Sequence, residues 1–301
     1  MNWLKKLKGK VKTKEPLASH TTFKIGGPAR FFIEPKDIED LKFLVLNAKA
    51  HKFDIFLIGA GSNILVSDKG VSGVVLRLAS APFKGISVKG NCLRAGAGLL
   101  LGQLLQKTAD CSLSGVEFMA GIPGTIGGAL AMNAGARGGS IGDLVENVRV
   151  MDYNGGIKII NKKNIKFAYR FSSLSRYIIL DVCLKLNKKN KLLVKRDIAK
   201  YLKLRRDIQD ISMPNAGCIF KNSLTKSALG FAERRAGRLI DLCALKGKSS
   251  GAAEVSRKHA NFILNKGNAK ASDVLKLMRL IKRRVKEKFK IDLKPEIKIW
   301  R

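Results

Sequence analysis

The run Gly121-Ile122-Pro123-Gly124-Thr125-Ile126-Gly127-Gly128 constrains this chain more than any other stretch. Each glycine loses more backbone freedom on folding than another residue would. Small residues follow, Ala129-Leu130-Ala131-Met132-Asn133-Ala134-Gly135-Ala136. One outcome is a structural turn leading into a small-residue helix packed on a sheet. A loop that must pass close to a bulky, phosphate-bearing group explains the composition better. A second glycine turn, Gly59-Ala60-Gly61-Ser62-Asn63, follows an apolar segment at 53–58. Its amides can approach a phosphate and Ser62 and Asn63 can add donors, although a plain tight turn is the open alternative. The nicotinamide-dinucleotide fingerprint is excluded on two counts. Ile64 stands where its third glycine is needed, and no acid occurs at 78–84.

Around these loops, apolar periodicity predicts a helix after Asp37 with Ile38, Leu41, Leu44, Val45 and Ala48 on one face. Strands are predicted over 53–58, 71–78, 145–152, 177–186 and 296–300. Further helices are expected at 99–109, 195–210 and 228–243. A last helix, capped by Ser272 or Asp273, carries Val274, Leu277, Ile281 and Val285. Strands and helices mix without regular βαβ alternation, which makes the fold class α+β. Residues 1–15 form a basic lead with no usable motif and no expected order.

The 301 residues carry 58 Lys+Arg against 23 Asp+Glu, a formal net charge of +35. Such an excess raises nucleic acid as a partner. The basic residues are spread along the chain, however, without an RNA-binding aromatic signature or zinc-knuckle spacing, so no nucleic acid is expected. A positive field also suits anionic small molecules. Five widely spaced cysteines and no C-x-x-C argue for a reducing compartment, and three scattered histidines suggest no metal. No apolar run reaches ~18 residues and the N-terminus lacks a secretory core, so a cytoplasmic location is expected.

Taken in order, several segments resemble the UDP-N-acetylenolpyruvoylglucosamine reductase family. They are 16–30, 59–66, 121–136, Tyr169-Arg170-Phe171-Ser172, and Asn215-Ala216-Gly217-Cys218-Ile219-Phe220-Lys221-Asn222. Ala236-Gly237-Arg238-Leu239-Ile240-Asp241, the segment 258–265 and Pro295-Glu296-Ile297 complete the set. The resemblance spans about 16–300 and implies a two-part FAD-binding domain of the vanillyl-alcohol-oxidase (PCMH) type, at 16–85 and 86–190. A C-terminal α+β substrate domain at 191–301 follows. The short span from Tyr169 to Tyr177 implies the compact class without an extra lid.

The resemblance further implies noncovalent FAD held by Gly59, Ala60, Gly61, Ser62, Asn63, Ile64, Gly121, Ile122, Pro123, Gly124, Thr125, Gly127 and Gly128. NADPH would be the electron donor. UDP-N-acetylglucosamine enolpyruvate would become UDP-N-acetylmuramate, a step in peptidoglycan precursor synthesis and thus in cell-wall biogenesis, cell shape and division. The reduction would end in protonation of the carbon beside the carboxylate. Arg170, whose planar fork suits a carboxylate, would be the cation there. Glu296 would be a second stabiliser, a carboxyl group able to donate when protonated. Cys218 would be the proton donor, where Ser is usual in the family. Lys221 and Asn222 would hold the nucleotide sugar, while His259 and Asn261 would position the structure.

Other departures from the family pattern are Ser223, Ile208, Asp210, Ala244 and Leu174. Two other functions remain open: another FAD oxidoreductase on the same scaffold, such as a sugar or alcohol oxidase, and a basic nucleic-acid-binding protein. The first would tether flavin through His or Cys, yet 53–91 contains neither. No obligate protein partner is evident.

Overall fold

The computed structural model describes residues 2–136, 139–223 and 235–301. The chain forms two compact units, each assembled from separated segments. One comprises Met1–Glu15, Arg30–Ala60 and Ser72–Arg205; the other comprises Pro16–Ala29, Gly61–Val71 and Arg206–Arg301. Both mix strands and helices, as the α+β class requires.

In the first unit, strands Lys10–Pro16, Pro28–Glu34, Val71–Leu76 and Ile55–Leu57 form a sheet in that order. The helix expected after Asp37 is α1, Ile38–Ala50, and the Asp37 carboxylate accepts from Asp40 N at 2.9 Å. That cap satisfies an amide that no helical carbonyl can reach. Its buried stripe of Leu41, Leu44, Val45 and Ala48 packs with Ile33, Val74 and Leu76. Trp3 joins this core at 5% exposure. The basic lead is therefore ordered, with a 3-10 turn at Asn2–Lys6 and an edge strand at Lys10–Pro16. The buried indole anchors the segment, helped by the half-buried Leu4, Leu7 and Val11 against the same core.

A second sheet of this unit is antiparallel throughout. Its order is Ile157–Asn161, Val145–Met151, Ile178–Lys185, Cys92–Gly96 and Ile86–Lys89. Helices α2 (Leu101–Asp110) and α3 (Ile126–Ala131) supply Leu104, Leu105 and Leu130 to the core that Leu93, Val182 and Leu184 line from the sheet. The short α4 spans Ile141–Leu144, and the basic α5 runs over Lys191–Ile208 with only Val194 of that helix buried.

The second unit packs α6 (Ala236–Leu242) and α7 (Ala271–Phe289) with short strands Ser249–Ser250, Ala253–Val255 and Ile263–Asn265. The predicted helix at 228–243 is helical at Ala236–Leu242; its part before 235 lies outside the described residues. The start of α7 is also corrected. Lys270, not Ser272 or Asp273, is the N-cap residue, and the first two helical amides are satisfied from afar. Asp68 accepts from Ala271 N at 2.6 Å and from Ser272 N at 3.0 Å, while Asp273 reaches back to Lys270 N. The final strand Lys298–Trp300 pairs parallel with Ile64–Val66, so the chain's end is built onto the segment that follows the first glycine turn.

Candidate active site

In the first unit Gly59, at the start of the first glycine turn, lies against the second turn. A Cβ on Gly59 would stand 2.4 Å from Thr125 Oγ1, so no larger residue fits. Thr125 in turn caps α3 by accepting from Gly128 N at 3.3 Å. Main-chain bonds Leu101 N to Gly124 O (3.0 Å), Ile126 N to Leu99 O (2.9 Å) and Gly127 N to Ala97 O (2.8 Å) hold the second turn. The Arg205 Nε donates to Ala120 O at 3.0 Å beside Gly121. Among the described residues of this unit, the amides of Gly59, Ala60, Gly124 and Thr125 donate to no protein group. Buried or half-buried amides left over in glycine turns suit phosphate oxygens, so these residues fit a dinucleotide such as FAD.

Arg170 sits at the tip of a two-residue hairpin between strands Phe167–Ala168 and Phe171–Ser172, with φ of +52°. A non-glycine residue there is strained, and such strain persists only where the surroundings dictate it. The surroundings are specific. Its guanidinium donates to Gly135 O at 3.1 Å and lies 5.2 Å from the Tyr169 ring centre. Asn133, itself at φ +44° and 7% exposed, donates to Ala168 O and accepts from Gly142 N, each at 3.0 Å. Asn133 thus ties the hairpin to α4. The motif around 121–136 contained Asn133 and Gly135, but only pairing across 35 residues gives them this positioning role.

In the second unit, Asn215 makes the turn into Cys218: its Oδ1 accepts from Gly217 N at 2.9 Å, and Gly217 has φ of +72°. Thr22 Oγ1 donates to Asn215 O at 2.7 Å. Cys218 is half-buried and bridges Phe262. Asn261, 3% exposed, accepts from Phe220 N at 3.0 Å and donates to Phe220 O at 2.8 Å, so its carboxamide behaves as a strand edge. On the other side, Glu296 N donates to Ile219 O at 2.8 Å and Lys221 N to Lys294 O at 2.9 Å. The main chain therefore places Glu296 beside the neighbour of Cys218. Asn63 joins them, donating to Glu296 O at 3.3 Å and accepting from Lys298 N at 2.9 Å. Gly61, at φ +66°, could carry no Cβ because His20 O would be 2.1 Å away. Asn222 Oδ1 accepts from Ala236 N at 3.0 Å, at the start of α6.

His259 supports this arrangement. Its Nδ1 accepts from Asn261 N at 3.2 Å, and its ring lies 4.8 Å from that of Phe262. Burial pushes its pKa down, so the neutral ring is favoured. Below it, Ser256 Oγ accepts from Lys258 N and His259 N and donates to Asp210 Oδ2 at 2.7 Å. Burial works against the Asp210 charge, but hydrogen bonds from Ser212 and Ser256 outweigh it and hold the carboxyl below the usual range. Asp210, a departure from the family pattern, is thus built into the turn leading toward Cys218.

Arg170, Gly59, Ala60 and the second glycine turn belong to the first unit, whereas Gly61, Ser62, Asn63, Ile64, Cys218, Lys221, Asn222 and Glu296 belong to the second. Comparison with known proteins agrees with both halves. The family model described as FAD binding domain matches residues 29–161. That described as UDP-N-acetylenolpyruvoylglucosamine reductase, C-terminal domain, matches residues 209–300. A UDP-N-acetylenolpyruvoylglucosamine reductase of Caldanaerobacter subterraneus is 41% identical over 293 residues, 97% of this chain and 94% of the relative. That of Desulforamulus reducens is 40% identical over 295 residues, covering 97% and 94%. The crystal structure of the Thermus caldophilus reductase superposes with a TM-score of 0.80 at 36% identity, covering 98% of this chain and 100% of that one. With a FAD-binding domain of the PCMH type followed by the reductase C-terminal domain, the chain belongs to the UDP-N-acetylenolpyruvoylglucosamine reductase family.

Proposed function

We propose that this chain reduces UDP-N-acetylglucosamine enolpyruvate to UDP-N-acetylmuramate, an FAD-dependent oxidoreductase step in peptidoglycan precursor synthesis. The observation that carries this reading is identity of about two residues in five to reductases of this name along nearly the whole chain. FAD, when bound, supplies two-electron chemistry, and NADPH is the proposed source of those electrons. The free amides of the two glycine turns hold its phosphates without a covalent tether. Among the described residues no helix is long and apolar enough to cross a membrane, and the cytoplasm is the proposed location.

The residue roles follow from the chemistry of an enol ether conjugated to a carboxylate. Reduction at the terminal carbon pushes charge onto that carboxylate, so a fixed cation and a donor are needed there. Arg170 supplies the cation, pre-set by its strained hairpin position. Glu296 supplies the second contact, fixed through the main chain to Ile219. Cys218 holds the proton at Sγ and delivers it to the carbon next to the carboxylate. Lys221 and Asn222 flank the nucleotide sugar, with the Asn222 oxygen also serving the start of α6. The boundaries 16–85, 86–190 and 191–301 are our proposed functional divisions, although residues 16–29 and 61–71 pack with the C-terminal unit.

The test is NADPH oxidation with and without the enolpyruvyl nucleotide sugar. Cys218→Ala should keep flavin reduction by NADPH yet form no UDP-N-acetylmuramate. Cys218→Ser should remain active with an altered pH–rate profile. Normal turnover in Cys218→Ala would remove the thiol from the mechanism.

A further inference from the structure

We propose that Cys92, Cys183 and Glu146 form a binding site for a thiophilic divalent cation of the Zn2+ class, cross-linking three strands of the five-stranded sheet. These residues sit on adjacent strands Cys92–Gly96, Ile178–Lys185 and Val145–Met151, and none of them is among the proposed catalytic groups. Leu93, Val182 and Leu184 turn into the hydrophobic core. Strand alternation then sends Cys92 and Cys183 to the opposite face. A register shift between Val145 and Asn147 bulges the strand at Glu146 and re-aims its carboxylate.

The donor atoms converge. Cys183 Sγ lies 3.2 Å and Cys92 Sγ 3.6 Å from Glu146 Oε2, and the three ligand atoms lie within 4.8 Å of one another. Bond lengths of about 2.3 Å to sulfur and 2.0–2.2 Å to oxygen put tetrahedral ligand atoms roughly 3.4–3.8 Å apart, so small side-chain shifts suffice. Two sulfurs select for a borderline-soft ion over Mg2+ or Ca2+. Cys183 is 7% exposed, whereas Glu146 is exposed, giving a rigid floor and an entry path. Asn147, paired with Cys183 across the strands, has a buried carboxamide oxygen with no hydrogen-bond partner among the described residues. That oxygen or a water completes four-coordination. On binding, both S–H bonds break, two metal–sulfur bonds form, and two protons pass to solvent with no change of oxidation state.

The full-length flavoprotein, kept reduced with a phosphine, is titrated with Zn2+ against a chromophoric chelator. One equivalent should bind per chain, and thermal stability should rise with Zn2+ concentration. Cys92→Ser and Glu146→Gln should each weaken binding by about tenfold or more while retaining FAD. Cys111→Ser and Cys243→Ser should bind as the parent does. Cys183→Ser should also lose binding, and if that buried substitution prevents folding the other two variants decide. Failure of the parent chain to bind Zn2+ would overturn the proposal. So would unchanged affinity in Cys92→Ser and Glu146→Gln, or a Cys92–Cys183 disulfide whose reduction yields no metal binding.

Discussion

Asn261→Ala isolates the contact that holds the segment from Cys218 to Phe220 in place. Asn261 closes two hydrogen bonds with the main chain of Phe220, at 3.0 and 2.8 Å, and both partners are buried. Alanine leaves the Phe220 N–H and C=O without partners and too deep for water. Each orphaned group costs about 1–3 kcal/mol, so the pair sums to roughly 4 kcal/mol, with a small cavity contribution besides. The tryptophans offer a clean reporter, because Trp3 lies in the first unit and Trp300 in the second. In a Trp3→Phe background, urea unfolding followed by Trp300 fluorescence reads the unit that contains Asn261. With a slope of roughly 2 kcal/mol/M, the midpoint should fall by about 2 M. Amide exchange at Phe220 should accelerate in the same variant. A loss under about 1 kcal/mol with Phe220 still protected would refute the idea that this side chain acts as a strand edge.

Three further outcomes are expected. Asp68→Ala should cost about 1–2 kcal/mol, because it frees the Ala271 and Ser272 amides at the start of α7; equilibrium unfolding checks this. Ala244 has φ of +52° just after α6, a left-handed position that favours glycine, so Ala244→Gly should stabilise by about 0.5–1 kcal/mol in the same assay. Burial lowers the folded-state pKa of His259 below its ordinary 6.5, which makes protonation unfavourable to the fold. The stability it contributes is present above the unfolded value and is lost as pH falls below 6.5. Melting curves from pH 7.5 to 5 should therefore steepen their decline through this window, and His259→Gln should flatten it.

What the sequence made legible was local. The α1 stripe repeats with helical spacing and its cap lies one residue before it, so both boundary and buried face could be placed. The glycine turns stood out because their composition is unfavourable without a close neighbour, and Gly59 against Thr125 is such a neighbour. The end of α7 that is capped by Asp68 was beyond reach, since the donor and acceptor lie 203 residues apart. The apolar residues of the basic lead, Trp3, Leu4, Leu7 and Val11, do not alternate as a strand would, so nothing in the sequence shows that 10–16 is one. The strands Ser249–Ser250, Ala253–Val255 and Ile263–Asn265 are too short to show alternation.

Within the site, residue identity and residue placement came apart for a physical reason. Arg170, Cys218 and Glu296 stood out because ordered motifs carry them, and the roles proposed for them call for a guanidinium, an acidic proton and a carboxyl. Of their supports, His259 and Asn261 were expected only from the resemblance and Asn133 was not singled out, because a support acts through geometry that many residue types could offer. What the sequence does not show is how Asn133 and Asn261 act, since their carboxamides bond main chain 35 and 41 positions away. A carboxamide can donate and accept at once, which lets one side chain close both halves of a backbone pairing. Aspartate or leucine at either position would keep the volume and lose that property. If the proposed roles of Arg170 and Cys218 hold, substitutions at Asn133, which ties down the Arg170 hairpin, and at Asn261, which ties down the segment after Cys218, should impair turnover without removing any reacting atom.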